Sequence, residues 1–268
     1  MSMFRRACAS LVATLALIAL AAPGASAHTV EYRKPPKLSY VALGDSFAAG
    51  VGAAPAQDAC LSSALAYPRL IARFARMDLT MAACAGATLT DVTNNQLSAL
   101  KPSTDYVTVQ AGGNDIGFEP ILRLCGLPGN DATCIGAVKV AAAELTSSKF
   151  ADDARTLFAG VRARAPKARV IVVGYPRLFS GKDCSPPAEY SAAEQSEMNA
   201  TVGLLNQRLR RIAYSVGARF ADPTAAFANH AWCAKRSWIN GPEHVVAFHP
   251  NALGQLLGYA PVVARKFF

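Results

Sequence analysis

The chain has 268 residues, 52% of them hydrophobic and 17% charged, and carries a net charge of +9. The length suits one large domain with a sizeable core. The basic residues are scattered apart from short clusters such as Arg208, Arg210 and Arg211, and no dense basic run interleaves with aromatics, which excludes nucleic acid as a partner.

At the amino end, Arg5 and Arg6 precede an apolar run from Leu11 to Ala22, and small residues then close on Ala25-Ser26-Ala27. A basic start, a short apolar core and an A-x-A site predict a secretory signal peptide over residues 1–27. Pro23-Gly24 stops the run short of the roughly 20 apolar residues of a membrane span. Cleavage after Ala27 removes two arginines and leaves His28–Phe268 with a charge of +7. An extracellular protein is expected, whose positive charge allows transient contact with anionic lipid surfaces. Cys8 leaves with the signal. Six cysteines remain, an even number in an oxidising compartment, and predict three disulfides. Pairing in sequence order is the most economical choice: Cys60–Cys84, Cys125–Cys134 and Cys184–Cys233. No C-x-x-C spacing points to a metal site.

Residues 28–37 are polar with Pro35-Pro36 and read as a flexible leader to one domain over residues 38–268. Leu38–Leu43 is a first strand. Tyr67–Arg76 has helical apolar spacing at Leu70, Ile71 and Phe74, with Pro68 in the first turn. Leu79–Ala83 is a second strand. Asp91–Leu100 is a helix capped by Thr90 or Asp91. Tyr106–Gln110 is a third strand. A short helix from Ile116 gives way to a Gly/Pro/Cys loop by Cys134. Ala137–Ala165 is helical, broken near Thr146-Ser147-Ser148. Arg169–Val173 is an unbroken apolar strand of the kind buried on both faces. Ser191–Val216 is a long helix and Ala218–Ala221 a fifth strand. Thr224–Pro242 is mostly loop, and Asn251 caps a last helix to Arg265. The alternation predicts a doubly wound, mostly parallel α/β sheet.

Gly44-Asp45-Ser46 follows the first strand and places a serine hydroxyl at the sheet's carboxyl edge, where open α/β folds bind ligands. A serine nucleophile needs a base and donors for the oxyanion. His249, just before the last helix, is the candidate base; His28, His230 and His244 read as surface residues. Gly86 offers a backbone N–H after the second strand, and Asn114 a side-chain amide after the third.

Gly44-Asp45-Ser46, Gly86, Gly112-Gly113-Asn114-Asp115 and His249-Pro250-Asn251 resemble, in order and spacing, the blocks of the SGNH (GDSL) hydrolase family. The six cysteines look like its secreted actinobacterial lipase and esterase branch. The resemblance spans residues from about 38 onward. It implies a flavodoxin-like α/β/α sandwich, a monomer acting on ester or lipid substrates, and no cofactor. It also implies Ser46 as nucleophile, His249 as base, and Ser46, Gly86 and Asn114 as the oxyanion hole. The chain departs from the family where many members carry an acid, at Val246. Amide replacement of that acid in a serine-protease triad costs about 10⁴ in kcat. The expectation is a dyad in which the Val246 carbonyl orients His249, with Glu243 as the second candidate. Ester hydrolysis is the leading activity. The alternatives are a carbohydrate O-deacetylase and a non-catalytic binding protein on the same scaffold.

Overall fold

The chain forms five strands: β1 Ser39–Gly44, β2 Asp78–Met81, β3 Tyr106–Gln110, β4 Arg169–Val173 and β5 Arg219–Ala221. The structure is a computed structural model and describes residues 36–182 and 190–267. The expected signal peptide, most of the leader and Cys184 lie outside the described residues, and with Cys184 the expected Cys184–Cys233 pair. Lys37–Phe268 forms one unit.

The sheet runs β2-β1-β3-β4-β5 with every neighbouring pair parallel. Val41, Val107 and Val170 stand side by side in register and are all buried. Parallel neighbours need crossover helices. Between the strands lie α1 Ser46–Ala49, α2 Tyr67–Ala75, α3 Leu89–Asp91, α4 Phe118–Cys125, α5 Asp131–Glu144, α6 Ser148–Arg164 and α7 Ala192–Ser215, and after β5 come α8 Thr224–Phe227 and α9 Ala260–Ala264. The chain steps from β1 out to β2, then crosses back over β1 to reach β3. With right-handed crossovers that reversal puts successive helices on opposite faces. Accordingly α2 packs with α9, while α6 packs with α3 and α7. The cleft between the carboxyl ends of β1 and β3 is the switch point, the usual ligand site of this topology.

Most expected boundaries fall within a residue or two. The helix expected over Asp91–Leu100 does not form as such. Thr88, not Thr90 or Asp91, is the cap: its hydroxyl accepts from the Asp91 N–H, and the Asp91 carboxylate accepts from the Thr88 N–H. After Asp91 the turns widen to π type over Val92–Gln96 and tighten to 3₁₀ over Leu97–Ala99. Helix α5 starts at Asp131, earlier than the expected Ala137, and the loop after β5 contains the short α8. The break before α6 is where Ser147 accepts from the Phe150 N–H as a cap. Cys60–Cys84 and Cys125–Cys134 are paired as expected. Among the described residues no helix is long and apolar enough to cross a membrane.

Candidate active site

Gly44 ends β1 in a conformation that excludes a side chain. Its φ is +142°, and a β-carbon there would lie 2.2 Å from the Gln110 carbonyl oxygen. This lets the Asp45 N–H bond the Gln110 carbonyl at 2.9 Å and swings the chain into α1. Asp45 caps α1 by accepting from the Phe47 N–H at 2.9 Å. Ser46, the first helical residue, is partly exposed at the cleft.

His249 comes from the other end of the chain, 203 residues away, and its Nε2 lies 2.8 Å from Ser46 Oγ. Its Nδ1 lies 3.0 Å from the Ala247 carbonyl oxygen. With the proton on Nδ1 and donated to that carbonyl, Nε2 accepts from the serine hydroxyl. The nearer backbone carbonyl to the ring is that of Ala247, ahead of the expected Val246. Phe248 sits at φ +60°, which turns the chain so that the carbonyl two residues back meets the ring. The Val246 carbonyl adds a weaker favourable field. Glu243 is exposed, and its carboxylate folds onto Gly241, where a β-carbon would meet Oε2 at 2.3 Å. It supplies neither bond to the ring. Burial pushes the His249 pKa below its ordinary 6.5, opposed by the two carbonyls and by Glu119. The Phe47 ring leans on the imidazole at 5.1 Å. Gly52 clears the way for this approach, since a β-carbon there would meet Val246 Cγ2 at 2.9 Å.

Gly86 is exposed to the same cleft at φ +78°, with no atom within 4 Å of where a β-carbon would stand. Its loop is stapled by Cys60–Cys84 and by the Ala85 N–H to the Cys60 carbonyl at 3.1 Å. Asn114 Nδ2 donates one hydrogen to the Ala87 carbonyl at 3.0 Å. That bond locks the amide beside the Gly86 loop and leaves its second hydrogen for the cleft. Asp115 turns the other way: its carboxylate accepts from the Leu89 N–H, and burial pushes its pKa up to about 6.

Ser46, His249, Gly86 and Asn114 all line one cavity of about 670 Å³. Its deeper wall is apolar, built from Ile116, Leu122, Leu178, Val202, Leu205 and Phe248. His244 and Val245 stand exposed at its rim. His230 lies elsewhere, stacked on Trp238.

Sequence reasoning passed over Tyr175. Its hydroxyl accepts from the Gly113 N–H at 3.2 Å and donates to Asp45. It thus joins the turn after β1 to the loop after β3. Burial pushes the Asp45 pKa up to about 7, although Tyr175 and the Phe47 and Ala48 amides pull it down. The Gly-Tyr-Pro turn ending β4 was the only visible signal for it.

A hydroxyl hydrogen-bonded to an oriented imidazole, with amide donors converging beside it, has the parts needed for acyl transfer. The GDSL-like lipase/acylhydrolase family model matches residues 42–257. The chain belongs to that family. It is similar to the lipase of Streptomyces rimosus, at 34% identity over 98% of each chain. The crystal structure of an extracellular lipase from the same organism has 32% identity and a TM-score of 0.80, over 85% of this chain and 99% of that one. Phospholipase A1 from Streptomyces albidoflavus NA297 gives 34% identity and a TM-score of 0.81, over 86% of this chain and all of the other. A catalytic mutant of the acetylxylan esterase Axe2 from Geobacillus stearothermophilus shares only 16% identity at a TM-score of 0.55, over 86% of this chain and 94% of that one, and thus the fold alone. The chain is a carboxylic-ester hydrolase with the SGNH fold.

Proposed function

We propose that this is an exported lipase-type esterase that cleaves acyl esters through a Ser46–His249 dyad. The observation that carries the reading is the 2.8 Å contact between Ser46 Oγ and His249 Nε2 at the mouth of a largely apolar cavity. Ser46 Oγ attacks the ester carbonyl as Nε2 takes its proton. The oxyanion forms where the Ser46 N–H, the Gly86 N–H and the Asn114 amide can donate. The imidazolium, steadied by the Ala247 carbonyl, then protonates the departing alcohol and leaves an acyl-serine. Water enters, gives a proton to His249 and releases the acid, and the proton returns to Ser46.

An acetyl group would fill little of the 670 Å³ cavity, so its apolar wall favours longer acyl chains. The lipase and phospholipase A1 names of the relatives support acyl lipids as substrates. Two disulfides, the signal-like first 27 residues and the extracellular lipase relative support export. Hydrolysis of p-nitrophenyl acetate, octanoate and palmitate tests the substrate reading. Higher kcat/KM on the longer chains, abolished by Ser46→Ala, is expected. A sharp preference for acetate would move the assignment to an O-deacetylase, and no hydrolysis at all to a binding protein.

A further inference from the structure

Gln255 lies in the helix that follows His249, within a stretch of π-type turns over Gly254–Tyr259. The helix is pressed against its neighbours by two glycines. A β-carbon on Gly258 would lie 2.3 Å from the Phe227 ring, and one on Gly254 would lie 2.5 Å from the Trp238 carbonyl oxygen. Seated this closely, the widened turn carries Gln255 fully out of solvent.

Both ends of its amide are used. Nε2 donates to the Phe47 carbonyl at 3.1 Å, and Oε1 accepts from the Tyr67 N–H at 2.9 Å. Phe47 directly follows Ser46. Tyr67 opens α2, where no side chain of the helix's own cap bonds the free N–H groups. An uncharged amide can donate to a carbonyl and accept from an N–H with one planar group. One buried side chain therefore ties the serine turn to the segment that delivers the histidine, two pieces far apart in sequence. A second glutamine on π-type turns works on the strand side: Gln96 accepts from the Gly44 N–H and donates to the Gly44 carbonyl, both at 2.8 Å. It does not reach the histidine segment by either bond.

We propose that Gln255 is a positioning residue for ester hydrolysis: it holds the Ser46 turn and the His249 segment at hydrogen-bonding separation. The proposal rests on the Ser46–His249 reading above. Displacements near 1 Å in such geometry can cost about 10²-fold in rate.

The test uses Gln255→Leu, which keeps a side chain of similar bulk and removes both bonds. Gln255→Met, which keeps the volume and removes both bonds, is the second variant. Asp105→Ala is the stability control, because Asp105 accepts from the Ser39 N–H and hydroxyl at the opposite end of the sheet. For both Gln255 variants, kcat on a soluble p-nitrophenyl ester should fall about 10- to 100-fold with KM nearly unchanged. The rate of fluorophosphonate labelling at Ser46 should fall by a similar factor, in protein still folded by Tm. Asp105→Ala should lower Tm and leave kcat alone. Folded Gln255 variants with wild-type kcat would overturn the proposal. So would failure of both to fold while Asp105→Ala folds, which would make Gln255 a folding element. Wild-type protein unlabelled at Ser46 would instead overturn the dyad reading itself.

Discussion

The serine and the histidine are held in different ways. Ser46 follows the interior strand β1, its turn fixed by Gln96 on Gly44, by the Gln110 carbonyl, and by buried Asp45 bonded to Tyr175. His249 ends an exposed loop in which Val245 is 96% accessible, and the Ala247 carbonyl bonds its Nδ1. The serine side is an extension of the core; the histidine side is a loop with an exposed tip, anchored by buried Phe248 beside the histidine. Changes on the serine side should therefore cost stability as well as rate, while changes on the histidine side should cost rate alone.

The largest effect falls on the pair itself. Ser46→Ala and His249→Ala should each lower kcat by about 10⁴-fold or more, with the double variant little worse than either, since the two act as a unit. Steady-state kinetics on one ester checks this, and additive losses would separate the two roles. Asn114→Ala should cost about 10²- to 10³-fold in kcat by removing one oxyanion donor. It should also lower Tm modestly, because the bond to the Ala87 carbonyl goes with it.

On the serine side, Tyr175→Phe leaves Asp45 and the Gly113 N–H without their shared partner and should cost about 1–3 kcal/mol of stability. Its pH signature is specific. Asp45 is pushed from 3.8 up to about 7 in the fold, so the folded state holds the proton more tightly. The stability this confers is complete below pH 3.8 and lost as pH rises through about 7. Removing the Tyr175 donor raises the folded pKa further, so the loss should shift to higher pH in a Tm-versus-pH series.

On the histidine side, the lowered pKa keeps the imidazole neutral to more acid pH. The acid limb of kcat/KM should lie below 6.5. A limb above 6.5 would point to a carboxylate partner. The smallest effect is at Glu243, which faces Gly241 rather than the ring. Glu243→Gln should stay within about twofold of wild type, well short of the roughly 10⁴ that follows loss of a true triad acid. A dead Glu243→Gln enzyme would mean the loop closes differently in solution.

What was legible in the sequence follows the same division. Strands β3 and β4 match their expected bounds residue for residue, β4 because a continuous apolar run marks a strand buried on both faces. The positions of Ser46, Gly86, Asn114 and His249 followed from four short blocks at strand and helix ends. The helix after β2 was misread because a change from α to π turns leaves composition and spacing almost unaltered. Ala247 was missed beside Val246 because its approach to the ring depends on the left-handed backbone of Phe248, where a bulky residue gives no warning. Tyr175, Gln96 and Gln255 were invisible for a further reason: a buried polar side chain is recognisable only once the backbone it bonds is in place.

Mass-spectrometric mapping of a fluorophosphonate adduct on the folded protein tests the dyad most directly. The account predicts one adduct, on Ser46, absent in Ser46→Ala and formed far more slowly in His249→Ala. An adduct on another serine, or labelling of Ser46 at full rate without His249, would contradict it.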